Sequence, residues 1–580
     1  HETITGGRIR YIAELGDHPE RTAVRAADHL AAEAAAWSRL LCGAGTVTIP
    51  ARTARRVLID LEQYHCAYPM LTLSGGAGAR AALVWAEALH AEPEGRTKRG
   101  RAEVEGLYLI GVGEEFIADG GARRVFSTLW WEAGRYVELQ LRTLDQPLTI
   151  DAFALRTTGY PLVQESRFAA SDPRLAGAVA PMERAMRMCM HETYMDCPYY
   201  EQLQYVGDTR LECLVTRAFT RDRRLPRKAI ELFDWSRDDS GFTASRYPSS
   251  TAQRIPPFSL IWVAMVHDGW MWDPDPASIR ERLSGVRTVL DACARSRDAD
   301  GLVVGLPGWN FMDWVPDWSC GNPPDGDTGT SGVINWLYVH ALRLAAELED
   351  ALGEPELAAL RRRHADQATR ALDRRFWNEA RGLYADDLAH QRFSEHSQCL
   401  ALIAGITDEA RRERVASGLM TAADLARATI YFKHYLFEAC RLIGRVDHLL
   451  AQLPYWFDLA GQGFVTTPEM PEPTRSDCHA WGAHPYFHYF ATILGIRPAA
   501  PGFARVRIQP QLGGLTSASG TFPHPRGDLM VEVSDHDGAL SGSVQLPDGI
   551  DGILVLPGTE VVLRSGVTRF GKLSHTGRER

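Results

Sequence analysis

Three carboxylates, Asp196, Glu201 and Asp208, fall within the stretch 196–208, which also holds three tyrosines, Pro198 and Gly207. That mixture makes a poor amphipathic helix and a good pocket wall. Pro198 places a helix start here, since its fixed φ suits a first turn and it has no N–H to leave unpaired. Asp196 then caps that helix, and Glu201 sits in the first turn between aromatic rings. Partial desolvation raises the pKa of a carboxyl in such a place and keeps some of it protonated near neutral pH, as a general acid requires. The plain alternative makes Asp196 only a cap, Glu201 a solvated first-turn acid and Asp208 a surface charge.

The combination of Asp196-Cys197-Pro198, then Glu201 in a polar and aromatic run, then Gly207-Asp208 resembles the signature of glycoside hydrolase family 78, the inverting bacterial α-L-rhamnosidases. The resemblance implies that Glu201 is the general acid and that Asp196 and Asp208 hold rhamnose hydroxyls. Gln202 and Tyr205 stand where that family often has Arg and Trp, and Tyr205 is counted among the substrate-binding residues in that position.

An inverting glycosidase places a second carboxylate across the sugar from the acid, about 6.5–9.5 Å away, to activate a water. The loop 466–481 offers Glu469 and Glu472, three residues apart among prolines. The residues alone leave the two open; the family resemblance, with a Glu following a Thr pair, points to Glu469 as general base. Ser476 or Asp477 is expected to cap the helix that continues through Trp481. His479 reads either as a hydroxyl ligand beside an aromatic wall from Trp481 or as a helix-start histidine bonded to a carbonyl. His479 and His484 lack a third clustered ligand in the sequence, so no metal is expected. A third loop, 308–318, carries three Trp and two Asp. Carboxylates for hydroxyls and aromatic faces for C–H surfaces suit a sugar. The resemblance carries Trp309, Asp313 and Trp314 over as binding residues, while Trp318 reads as core. Asp234-Trp235, Arg246-Tyr247-Pro248 and 394–397 are weaker candidates, with Glu395 the rival carboxylate.

Two other readings stay open. A lyase or a hydrolase for another deoxy- or uronic sugar on the same fold would shift the weight to Arg475 and Tyr200. A catalytically inactive sugar-binding protein would not need both carboxylate motifs.

These loops need a scaffold. The 580 residues exceed one hydrophobic core. Apolar runs at 57–61, 70–73, 81–85, 107–110, 137–141 and 148–150, broken by turns such as Gly75-Gly76, predict an N-terminal β-sandwich over 1–170. The resemblance implies that it is jelly-roll-like, and packing against the next domain is its expected role. Residues 22–41 read as an Ala-rich helix. From 171 to 497 the period lengthens, and about a dozen helical stretches, the last over 478–494, fit an (α/α)6 barrel. Alternation returns at 506–508, 529–533, 544–546 and 553–556, a C-terminal β-sandwich over 498–580 whose charged end, 572–580, reads as loose. The fold class is therefore multidomain α+β.

Net charge is −10 with a pI near 6.0, and there is no basic stripe, which argues against a nucleic-acid partner. No apolar run reaches the roughly 20 residues of a membrane span. No nucleotide fingerprint occurs, so no cofactor is expected and the implied partner is a carbohydrate. Ten scattered cysteines read as mostly free thiols. The start at His1 leaves cytoplasmic and exported locations both open, and the oligomeric state is not legible.

Overall fold

The centre of the molecule is a double ring of helices, and burial sorts the rings. In the computed structural model, which describes residues 2–571, Val206–Phe219, Pro256–Trp272, Gly332–Ala351, Glu395–Ala404 and Lys433–Leu442 are buried on almost every side. Pro256–Trp272 has almost no polar face and has to be enclosed, whereas Val206–Phe219 is enclosed with Arg210 and Arg217 paired to Asp268 and Asp273. Val179–Cys189, Arg224–Trp235, Pro276–Ala294, Pro355–Arg375, Glu409–Thr421 and Val446–Gln452 bury one stripe and form the outer ring. Successive inner helices pack on one another, and the ring closes where the segment after His479 returns to Val206–Phe219. That closing segment is not the single helix expected over 478–494. His479 is extended, Ala480–Ala483 is a 3₁₀ turn, and Pro485–His488 and Tyr489–Ile493 follow as short pieces, because Pro485 cannot donate to an unbroken ladder.

The expected helix start at Pro198 is also absent. Residues 198–201 form a turn, and the inner helix begins at Val206. The reason is local: Asp196 and Leu203 are cross-bonded, and Gln202 takes a left-handed φ of 57°.

The N-terminal domain is built on one long strand, Ala54–Gly75. Its first half runs between Arg8–Ala13 and Glu132–Arg142; its second half pairs with Leu148–Thr157 and Arg124–Phe126. Both halves feed one core around Trp37, Trp85, Leu83 and Leu139. Residues 22–41 are two 3₁₀ turns, Ala26–Asp28 and Ala31–Glu33, leading into the short helix Ala34–Leu41, and 107–110 forms no strand but only a bridge from Tyr108 to His90.

Strand pairing moves the sequence-based domain boundaries. Arg167–Ala170 pairs with Ser517–His524, so it belongs to the C-terminal sandwich and not to the N-terminal domain. Ile496–Pro498 pairs with Arg505–Ile508, which starts the C-terminal unit two residues before 498. Its sheets have five and four strands. Residues 572–580 lie outside the described part. All ten cysteines are free, and no helix among the described residues is long and apolar enough to cross a membrane.

The N-terminal domain grips the barrel through buried charge. Lys98 Nζ is 2.7 Å from Glu87, 3.2 Å from Asp477 and 2.6 Å from the carbonyl of Arg475. Arg101 makes a two-pronged contact with Asp477, at 2.9 and 3.1 Å, and the Asp477 N–H donates to Glu87. Asp477 is therefore an interdomain anchor and not the helix cap expected of it. Burial would raise its pKa, but Lys98 and Arg101 hold it below the usual range. Lys98→Met leaves two buried carboxylates short of a cation, and breaking such a pair costs about 3–5 kcal/mol. The first thermal unfolding transition is expected to fall by several degrees, as calorimetry would show.

Candidate active site

The pocket opens at one end of the barrel as a cavity of about 700 Å³. Its first wall is the 196–208 stretch. The Asp196 N–H donates to the Leu203 carbonyl at 2.8 Å, and Asp196 Oδ1 accepts the Leu203 N–H at 3.0 Å. These two bonds close a loop that projects Glu201. The chain then enters the inner helix, whose first turn presents Asp208. Gly207 is needed there: a Cβ would lie 2.5 Å from the Phe258 ring.

The 466–481 loop forms the facing wall. Its ends are tied by the Glu469 N–H to the Ser476 carbonyl at 3.1 Å, the His479 N–H to the Thr467 carbonyl at 2.7 Å, and the Trp481 indole to the Glu469 carbonyl at 2.8 Å. This geometry buries Glu469 in the pocket and sends Glu472 out of it, to an ion pair with Arg101.

Arg475 joins the walls. Its Nη2 donates to Glu201 Oε1 at 2.6 Å, while its Nε lies 3.6 Å from Glu469 Oε2. Glu201 Oε2 accepts from the Tyr205 hydroxyl at 2.8 Å, and that hydroxyl accepts from Arg246 at 2.6 Å. The expected rise in the pKa of Glu201 is therefore overturned. Burial does push it up, but the Arg475 and Tyr205 hydrogen bonds outweigh burial and hold it below the usual glutamate range.

The other carboxylates behave differently. Burial, reinforced by Asp208 and Glu201, pushes Asp196 up to about 7 against the opposing charge of His479. Burial likewise raises Asp208. His479 Nε2 lies 3.1 Å from Asp208 Oδ1, an ion pair by distance. Burial alone would depress the His479 pKa, yet Asp208, Glu469 and Asp196 together raise it to about 9. Asp208 Oδ1, Glu469 Oε2 and His479 Nδ1 are buried without a hydrogen bond inside the protein.

Aromatic rings complete the enclosure. Trp309, Phe311 and Trp314 form one side, with centroids 5.1 Å apart for Trp309 and Phe311 and 4.9 Å for Phe311 and Trp314. Trp481, stacked on Tyr431, lines the cavity too, with Tyr205 and with Phe258, whose ring meets Phe311 edge-on.

The structure thus gathers Asp196, Glu201, Tyr205, Asp208, Trp309, Trp314, Glu469, His479 and Trp481 around one cavity. It does not bring Asp313 there. Asp313 is fully buried behind the aromatic wall, accepting from the Thr429 N–H and His396 Nε2 at 2.8 Å each, so it positions the loop. Trp318 is buried against His396. Glu395 lies at a helix N-terminus, paired with Arg427 and the Ala428 N–H, and Asp234 is held by Arg237 and Arg282. Arg246, Arg475 and Tyr200 line the cavity although they stood outside the main sequence list. Arg475 carried a signal there: a cation between two candidate site residues, Glu469 and His479, in one loop.

His484 does have clustered neighbours, contrary to the sequence reading: its ring groups with those of His434 and His488 in the core, away from the cavity-lining residues. Asp196, Cys197 and His479 also lie close together, but Asp196 and His479 are there engaged with Leu203 and Asp208.

A two-ring helical barrel with a carboxylate-lined pocket, flanked by β-domains, defines a glycosidase-type scaffold, and family comparison agrees. Residues 163–433 match the bacterial alpha-L-rhamnosidase 6 hairpin glycosidase domain, and residues 495–571 match the bacterial alpha-L-rhamnosidase C-terminal domain. The chain belongs to glycoside hydrolase family 78. Among solved structures it is similar to the family 78 rhamnosidase of Bacillus sp. GL1, with 24% identity and a TM-score of 0.78 over 89% of this chain and 54% of that one. It is also similar to the Klebsiella oxytoca rhamnosidase with rhamnose bound, at 20% identity and a TM-score of 0.66 over 85% of this chain and 96% of that one. The Streptomyces avermitilis α-L-rhamnosidase complexed with L-rhamnose gives 17%, 0.69, 91% and 53% in the same order. The chain thus spans about half the length of the Bacillus protein, and at these identities the likeness is one of fold. No curated protein sequence is significantly similar to the chain.

The raised pKa of His479 has a stability consequence. A group that binds its proton more tightly when folded stabilises the fold fully below its unfolded pKa, about 6.5, and that contribution is lost as pH rises through about 9. Unfolding midpoints measured across this window should fall with pH, and Asp208→Asn should flatten the decline.

Proposed function

We propose that the protein is an inverting α-L-rhamnosidase that removes terminal α-L-rhamnosyl groups, with Glu201 as general acid and Glu469 as general base. The observation that carries this reading is the pair of carboxylates on opposite loops of one cavity, bridged by a single guanidinium. A cation standing between them speaks for a spaced pair with room for water, the inverting arrangement of about 6.5–9.5 Å, over a pair in contact. Asp196, Asp208 and His479 offer buried acceptors and donors to sugar hydroxyls, and Asp208 Oδ1 and His479 Nδ1 make no hydrogen bond within the protein. Trp309, Trp314 and Trp481 offer faces to C–H surfaces.

Glu201 is ionised in the free enzyme, so substrate has to reverse its environment. A sugar ring entering between the walls displaces Arg475 from Glu201 and excludes water; both changes raise the carboxyl pKa and supply the proton to the glycosidic oxygen. Glu469 takes a proton from water on the opposite face, through an oxocarbenium-like transition state. A lyase would need Arg475 to neutralise a uronate, whereas here two carboxylates already hold it.

Hydrolysis of p-nitrophenyl α-L-rhamnopyranoside, followed by proton NMR, should release the β-anomer first. Glu201→Gln and Glu469→Gln should each lose roughly 10²–10⁴-fold in kcat. Full activity in Glu201→Gln would sink the assignment of the acid.

Arg475 gives a sharper test. Removing it lifts the pKa of Glu201, so the basic limb of the kcat/KM profile of Arg475→Gln should move to higher pH. Tyr205→Phe should move that limb in the same direction, since the Tyr205 hydroxyl also holds the pKa down. A limb that stays in place in both variants would show that Glu201 does not set it.

A further inference from the structure

The N-terminal domain reaches the turn that carries Glu201 with an exposed tryptophan. Between Arg124–Phe126 and Glu132–Arg142 the chain turns through Leu129 and Trp130, which are 97% and 53% exposed. Such exposure is costly for two large apolar residues unless they meet something. Trp130 is held in place: its ring stacks on Trp131, which stacks on His191, and its indole N–H donates to Gln202 Oε1 at 2.8 Å. Gln202 directly follows Glu201, and its own amide donates to the Pro198 carbonyl at 2.9 Å. Trp130 is thereby fastened to the turn that carries the acid. On the same turn Tyr200, 38% exposed, lines the cavity with Lys98 and Arg475 against its ring.

The direction of the chemistry says what belongs there. Asp196, Asp208, Glu469 and His479 are almost fully buried at the floor, while Glu201 is 22% exposed and nearer the mouth. Its proton goes to the glycosidic oxygen, so the leaving group extends past Glu201 toward solvent, along the turn that carries Tyr200 and to which Trp130 is fastened. The cavity of about 700 Å³ also exceeds what one deoxyhexose ring fills and suits a larger ligand.

We propose that Trp130 and Tyr200 form the leaving-group subsite, one half supplied by the N-terminal domain, and that it takes a ring by stacking, either an aryl ring or the C–H face of a second sugar. The proposal rests on the rhamnosidase reading and deepens it.

The test compares kcat/KM of wild type and Trp130→Ala on three substrates: α-L-rhamnosyl fluoride, whose leaving group has no ring; p-nitrophenyl α-L-rhamnopyranoside; and an α-L-rhamnosyl-glucose disaccharide. Wild-type turnover of the fluoride establishes the rhamnosidase reading separately, so failure of the subsite and failure of the function are distinct results. The expected result is a fall of about five- to tenfold in the ratio of ring-bearing substrate to fluoride, the scale of one aromatic stacking contact. The arm in which it falls identifies an aryl or a sugar ring. Trp130→Phe, which keeps an aromatic ring but loses the indole N–H that bonds Gln202, should recover most of the ratio. Ratios unchanged within twofold in both arms, or an equal loss on the fluoride, would overturn the subsite and leave Trp130 a packing residue.

Discussion

Asp477 is a carboxylate taken almost wholly out of water, and the charges brought in to hold it also hold the pocket together. Lys98 and Arg101 come from the N-terminal domain, and both bind Asp477. Asp477 lies two residues from Arg475 and two from His479, so fixing it fixes the frame on which Arg475, His479 and, through the cross-bonds of the loop, Glu469 are displayed. Lys98 adds a bond to the Arg475 carbonyl itself. Buried ion pairs are weak contributors to net stability, but they penalise every arrangement in which one partner is missing. Here that penalty selects one docking of the β-domain on the barrel and one conformation of the loop.

Within the pocket the same principle operates with fewer partners. Four carboxylates, Asp196, Glu201, Asp208 and Glu469, face Arg475, Arg246 and His479. The cations do not serve all four equally. Glu201 takes the best hydrogen bonds and is held ionised, whereas Asp196 has no cation in direct contact and burial pushes it to about 7. Environment, not residue type, thus separates carboxyls that the sequence presents as equals. A polyhydroxylated ligand is well suited to such a site because it brings donors for the unpaired acceptors without bringing charge.

The fold was largely legible because burial has a period. The inner helices are buried on almost all faces and the outer ones on one stripe, so the barrel could be read between two regions of alternation. Boundaries were lost where distant segments pair: nothing in Arg167–Ala170 tells that its partner is Ser517–His524. The cavity lining was legible where the family pattern names the residue, as for Glu201, Glu469 and Asp208, which the structure gathers around one cavity. It was not legible where a side chain's partner is remote in sequence. Asp313 looked like a sugar ligand because it lies among tryptophans, yet Thr429 and His396 turn it inward. Glu201 looked like an acid with a raised pKa because its neighbours in sequence are aromatic, yet Arg475, far along the chain, reverses the sign.

Gln202 and Tyr205, the two positions at which the 196–208 stretch departs from the pattern of its family, are also positions that make specific contacts. Tyr205 donates to Glu201 and accepts from Arg246, whose guanidinium also lies 3.6 Å from Glu201 itself. Gln202, too short to be a cation arm, fastens Trp130 and with it the N-terminal domain. Neither change removes a carboxylate; both alter what surrounds Glu201. The carboxylates stay while the side chains next to Glu201 differ. The cavity is therefore shared between domains: the barrel carries its carboxylates, and the β-domain pins the 466–481 loop and is bonded to the 196–208 turn.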